Sequence, residues 1–223
     1  GPAYYWSLLD KRKSAAQNID SLFFAENGKL HNEYSSLYES LFKHPEPYIK
    51  IVSVLGKKAT GMTRKELVDK YKLDESGALT KCLEELEECG FIRKYNAFEK
   101  KSKGSVYQLI DNYTLFYFKF IKEADGDEDF WTNSLNTPLQ NSWCGYAFER
   151  VCLQHIAQIK QALGIGSVST RQCAWRADGS LLQEGERGAQ IDLLIDRKDD
   201  TINICEMKWA SAPFVIDSDY DME

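Results

Sequence analysis

The chain has 223 residues, 43% hydrophobic and 13% aromatic, with a formal net charge of -6. At roughly 150 residues per domain this is one or two domains, and the apolar content excludes a disordered chain. The negative balance excludes a surface coated in positive field, so any nucleic-acid contact has to be local.

Residues 3–43 read as helices. The stretches 14–24 and 30–42 carry apolar residues at helical spacing, and Asn27-Gly28 breaks them. Leu30, Tyr34, Leu37, Tyr38 and Leu41 form one stripe, read as a core face. A helical segment over 1–44 is expected, with the apolar run Tyr4-Tyr5-Trp6-Ser7-Leu8-Leu9 close to its start.

The next stretch has a definite order. A helix over 45–55 starts at Pro45. Thr63-x-x-Glu66 is a capping box that opens a short helix over 64–71. A third helix over 76–88 is closed by Gly90. Two strand-like runs, 91–98 and 105–110, are joined by a turn containing Lys100, Lys101 and Lys103. Three helices followed by a hairpin predict a winged helix-turn-helix, which with the aromatic helix at 111–123 makes a domain over 45–123. The third helix sets Lys81 against Glu84, Glu85, Glu87 and Glu88, which repel phosphates; the lysines of the wing are the better nucleic-acid contacts. DNA binding and protein contact both stay open for this module. The aromatic helix reads as core rather than as a base-stacking platform.

An acidic, Gly-containing stretch over 124–137 reads as a linker, and 138–223 as a second domain. It opens on a helix over 138–163, with Phe148, Val151, Cys152, His155, Ile156 and Ile159 on one face and Glu149 beside it. A strand over 168–176 follows, then a Gly-rich turn and two more strands. These last two carry ionisable groups inside apolar runs: Asp192 among Ile191, Leu193, Leu194 and Ile195, and Glu206 and Lys208 on the face of Ile202 and Ile204. Such charges are costly unless paired, hydrogen-bonded or bound to metal.

An Asp followed one hairpin later by Glu-x-Lys suits a divalent-metal site for phosphodiester hydrolysis. A hard cation on carboxylates lowers the pKa of a bound water and neutralises charge on the reacting oxygens. Asp192 and Glu206 are the expected ligands for Mg²⁺ or Mn²⁺, completed by the backbone carbonyl of Met207, with Glu149 ligating directly or through water. Lys208 would position or deprotonate water or stabilise charge, and Gln190 would touch the water or a phosphate. The competing reading is an ion pair, Lys208 neutralising Glu206 with Asp192 solvated at a strand end.

Other chemistries find no support. His31, His44 and His155 fit no catalytic arrangement, His155 reading as a core-edge residue. Gly56-Lys-Lys lacks the loop glycines of a P-loop, so no nucleotide site is expected. The six cysteines, at 82, 89, 144, 152, 173 and 205, form no C-x-x-C pair and read as small buried hydrophobes of a reducing cytoplasm. No apolar run reaches the roughly 18 residues of a membrane helix and no signal peptide is recognised, so a cytoplasmic chain without a membrane partner is expected.

On these residues, 136–209 resembles the PD-(D/E)xK nuclease superfamily, including its variant with a Glu on the first helix seen in archaeal Holliday-junction resolvases. By position Glu149 matches the helix acid, Asp192 the acid of the second strand, and Glu206 and Lys208 the E-x-K. Nearly the whole length is similar to the region downstream of the ATPase core in prokaryotic AAA/STAND-type ATPases of the archaeal-ATPase family, where a winged helix and a nuclease-like domain often called DUF234 follow the P-loop module. The stretches carrying this likeness are 4–10, 14–24, 37–42, 145–149, 190–195 and 204–208. The resemblance implies an ATPase core in the intact protein and DNA as partner, with a homo-oligomer a further candidate. The ATPase core is absent here, and the helix after the third strand, where an acidic tail stands instead, reads as missing or truncated, so a piece of a larger protein is expected.

The expected fold is therefore a multidomain α/β (α+β) chain: N-terminal helices, a winged helix-turn-helix, and a restriction-endonuclease-like α/β domain with a mixed sheet. The expected function is metal-dependent DNA hydrolysis beside an ATPase; the alternative is a non-catalytic regulatory or protein-interaction region.

Overall fold

A computed structural model describes residues 3–71, 77–95, 105–176, 190–210 and 212, side chains excepted at 71, 174–176 and 190. Among the described residues the chain is a mixture of helices and two three-stranded antiparallel sheets, an α+β multidomain fold. It divides into two compact units, 1–95 with 101–140, and 96–100 with 141–223.

In the first unit, α1 (Ala3–Ser7) is followed by α2 (Ala15–Ile19), which runs into a π-turn (Asp20–Phe24). Ser14 caps α2: its Oγ accepts from the Gln17 amide at 3.2 Å, and the Gln17 side chain accepts from the Ser14 amide at 3.0 Å. This satisfies two amides that the first turn leaves without helical partners. The chain then turns at Gly28, where a β-carbon would lie 2.6 Å from the Leu22 carbonyl oxygen, so only glycine fits. α3 (Glu33–Leu41) buries Tyr34 and Tyr38, while Leu41 is 49% exposed. The predicted stripe therefore ends before Leu41, because α3 stops there and Phe42 turns into the core instead.

α4 (Glu46–Leu55), β1 (Met62–Thr63), α5 (Arg64–Tyr71), α6 (Gly77–Glu88), β2 (Ile92–Tyr95) and β3 (Val106–Leu109) follow. The sheet order is β1-β3-β2, antiparallel throughout, with Met62 opposite Tyr107 and Ile92 opposite Leu109. The order of these elements is helix, strand, helix, helix, strand, strand. β1 is absent from the sequence reading, since two residues carry no periodicity. The capping box forms as written: the Thr63 amide donates to Glu66 at 2.8 Å, and the Glu66 amide donates to Thr63 Oγ1 at 3.2 Å. Gly90 closes α6 at φ +77°. Tyr38, Val52, Leu67, Leu86 and Ile92 are almost fully buried in one core. The joining turn with Lys100, Lys101 and Lys103 lies outside the described residues.

α7 (Asn112–Lys119), capped by Asp111, lies against this core, with the Tyr117 ring stacked on Tyr34 at 3.9 Å. Its aromatics are core, as the spacing suggested. The stretch 124–137, expected to be a linker, is instead packed into the first unit. α8 (Phe130–Asn133) buries Trp131 against Phe116 and Phe120, and the buried Asp20 carboxylate accepts the Trp131 and Thr132 amides at 2.8 and 3.0 Å. Acid and glycine content marks a turn, but Phe130 and Trp131 anchor it.

Among the described residues no helix is long and apolar enough to cross a membrane, and all six cysteines are free thiols. Cys82 and Cys173 are buried; Cys89 is exposed, against the reading of it as a buried hydrophobe.

Candidate functional site

The second unit carries the Asp, Glu-x-Lys set. α9 (Pro138–Gln154) and α10 (Ile156–Ala162) are separated at His155, where the single predicted helix is interrupted. The His155 ring lies 2.7 Å from the Val151 carbonyl oxygen and is exposed, as is Val151. The predicted apolar face holds only in part: Ile156 is buried and Phe148, Cys152 and Ile159 are half-buried, but His155 is not a core-edge residue.

β4 (Thr170–Arg176), β5 (Gln190–Arg197) and β6 (Ile202–Cys205) form the sheet in that order, with every pairing antiparallel. A parallel strand that would make the sheet mixed is not among the described residues. Side chains alternate across β5. Leu193 and Ile195 pack with Ile156 and Ile165 on one face, joined by Cys205 and Met207. Asp192, Leu194 and Asp196 belong to the opposite face. On it Asp196 pairs with Arg171 at 2.9 Å, and Ile202 and Ile204 are 45% and 71% exposed.

The register that pairs Leu193 with Cys205 sets Asp192 opposite Glu206 when carried on by one residue. β6 ends at Cys205, so Glu206, Met207 and Lys208 lie just past its last strand residue. Asp192 is half-buried, and the Met207 amide donates to its Oδ2 at 3.2 Å. Burial pushes the Asp192 carboxyl above its ordinary value and the Glu206 charge adds to this; the Met207 amide and Lys208 act in the other direction. Lys208 Nζ lies 2.7 Å from Glu206 Oε1, with both side chains more than a third exposed. A pair this exposed contributes at most about 1 kcal/mol, so a divalent cation can displace the ammonium from the carboxylate at little cost.

The structure thus brings together Asp192, Glu206 and Lys208. Met207 enters through its amide, where the sequence reading used its carbonyl. Glu149 lies on α9 beside Phe148, and its charge, after burial, helps raise the Cys152 thiol. Among the described residues no group of three or more His, Cys, Asp or Glu could hold a metal. Gln190 pairs through its backbone with Arg176, and its side chain lies outside the described residues. Sequence reasoning did not find the Met207 amide or the contact of Trp209 with Phe148, ring centroids 5.9 Å apart. An aromatic directly after Glu-x-Lys was the available signal for the second.

In the first unit the four carboxylates of α6 do not act alike. Glu85 is held by the Tyr48 hydroxyl, and Glu87 accepts the Lys94 amide at 3.3 Å. Glu84 and Glu88 are exposed with Lys81.

No family model matches the chain, and no solved structure matches it. It is similar to the uncharacterized protein MJECL04 of Methanocaldococcus jannaschii, 24% identical over 213 residues that cover 92% of this chain and 43% of that protein. The chain spans less than half the length of this relative.

Proposed function

We propose that the second unit is a divalent-cation-dependent phosphodiester hydrolase of the PD-(D/E)xK kind, acting on DNA in the cytoplasm as part of a larger archaeal-ATPase-family protein. The observation that carries this is the half-buried Asp192, fixed by the Met207 amide and set beside Glu206 and Lys208. Two carboxylates, one partly desolvated, are the oxygen donors a hard cation selects. Asp192 and Glu206 would hold Mg²⁺ or Mn²⁺, which when bound lowers the pKa of water and neutralises charge on the phosphate. The Met207 amide keeps one Asp192 oxygen directed. Lys208, released from Glu206, carries a mobile positive charge to the phosphate oxygens or to the attacking water. Glu149 is the candidate third acid.

A second reading is a non-catalytic regulatory or protein-interaction region. The exposed Ile202 and Ile204, and the exposed acids of α6, favour it.

The test is cleavage of plasmid, single-stranded and branched DNA with Mn²⁺, beside Lys208→Ala. The expected result is cleavage that requires the metal and falls at least about a hundredfold without Lys208. No cleavage by the unsubstituted protein, or cleavage indifferent to Lys208, supports the second reading.

A further inference from the structure

The geometry points to Trp209 and Phe148 as a clamp that positions the Glu206–Lys208 segment. This deepens the proposed site and rests on that reading for its functional meaning, although the clamp itself is a property of the fold.

The problem it solves is local. Strand hydrogen bonding normally sets the direction of a side chain on a sheet. β6 ends at Cys205, one residue short of Glu206, and residues 206–210 have no regular secondary structure. Two contacts tie this segment to the rest of the second unit. The Met207 amide donates to Asp192, with the Met207 side chain packed at the core of the second unit. Beyond Lys208, the Trp209 ring meets Phe148 at 5.9 Å with an interplanar angle of 58°. Lys208 thus stands between two anchors, one on β5 and one on α9. Phe148 immediately precedes Glu149, so the same contact joins the segment bearing Glu206 to the helix turn bearing the candidate third acid.

The energetics fit a clamp more than a core contact. Trp209 stays 55% exposed, so its burial contributes little to global stability. A tilted aromatic pair is worth enough to shift a local opening equilibrium by roughly three- to tenfold. That is ample for a segment with no strand ladder and small beside the stability of a domain. Trp209 and Phe148 are positioning residues: neither carries a group that ligates metal or moves a proton.

The experiment is amide hydrogen exchange of the full chain without metal, read at Met207, whose amide reports closure onto Asp192. Trp209→Ala should speed Met207 exchange roughly three- to tenfold while amides inside β5 are unchanged, and Trp209→Phe should restore it. Phe148→Ala should act alike, and the double variant should add nothing, because both remove one contact. Met207 exchange within twofold of the unsubstituted protein in both alanine variants overturns the clamp. So does an equal acceleration across β5, which would mean general loosening. Mn²⁺ binding measured by electron paramagnetic resonance then tests the site separately. With the site correct, Trp209→Ala weakens binding by a similar factor. If the unsubstituted protein binds no Mn²⁺ while exchange follows the prediction, the clamp stands and the metal reading falls.

Discussion

Glu66 shows how far one side chain can be read. It closes the capping box with Thr63 and also accepts Lys58 Nζ at 2.9 Å. Lys58 first, and then the Thr63 amide, hold its carboxyl down at about 2, from an ordinary 4.5. A lowered carboxyl contributes stability that is fully present above its unfolded value and lost as the pH falls through its folded one. The window is therefore from 4.5 down to about 2. Glu66→Ala should cost about 1 kcal/mol at neutral pH in urea unfolding. The difference from the unsubstituted protein should shrink across that window. A constant difference would show that the ionised carboxylate is not what holds the turn. The capping box is local and was plain from four letters; Lys58, eight residues away, was not.

Elements depend on contacts that the sequence does not announce. Gly61 stands before β1 at φ +76°, where a β-carbon would meet the Tyr107 carbonyl oxygen at 2.5 Å. β1 can reach β3 only because this position has no side chain. Gly61→Ala should cost at least about 2 kcal/mol, from a left-handed backbone and a clash with backbone together. Gly77, where an added β-carbon meets nothing within 4 Å, is the control, and Gly77→Ala should be neutral or mildly stabilising in the same thermal melts. Equal effects would remove the argument for β1 pairing. α9 and α10 teach the same lesson from the other side. Their letters keep helical spacing through 138–163, yet the helix breaks at His155. The spacing test sees side-chain period and not backbone hydrogen bonds.

For the whole molecule, charge sets the terms of any meeting with DNA. At a net -6 the chain repels a phosphate backbone at long range, so binding has to come from a few local cations. Lys100, Lys101 and Lys103 are the three that the sequence proposes for this role. Replacing all three by alanine should reduce the slope of log affinity against log salt by about 2.7 on duplex DNA, at roughly 0.9 per phosphate contact. Measurable affinity with an unchanged slope would remove the wing from the contact. No affinity at low salt would leave the first unit to protein contact.

The sequence by itself determined the elements that short-range physics controls. The Thr63–Glu66 box, the glycine stop at Gly90, the aromatic core helix α7 and the alternation that separates Asp192 from Leu193 are all satisfied within a few residues. It also named the pair of acids and the lysine, because charges inside apolar strands are conspicuous. Tertiary structure decided what those letters could not. It absorbed 124–137 into the first unit through Asp20, more than a hundred residues away, and among the described residues it assembled no group of three His, Cys, Asp or Glu able to hold a metal. It also placed the Met207 amide, rather than its carbonyl, on the carboxylate. The physical reason is common to all three: partners distant in the chain meet only when sheets and helices pack, and that packing has no local signature.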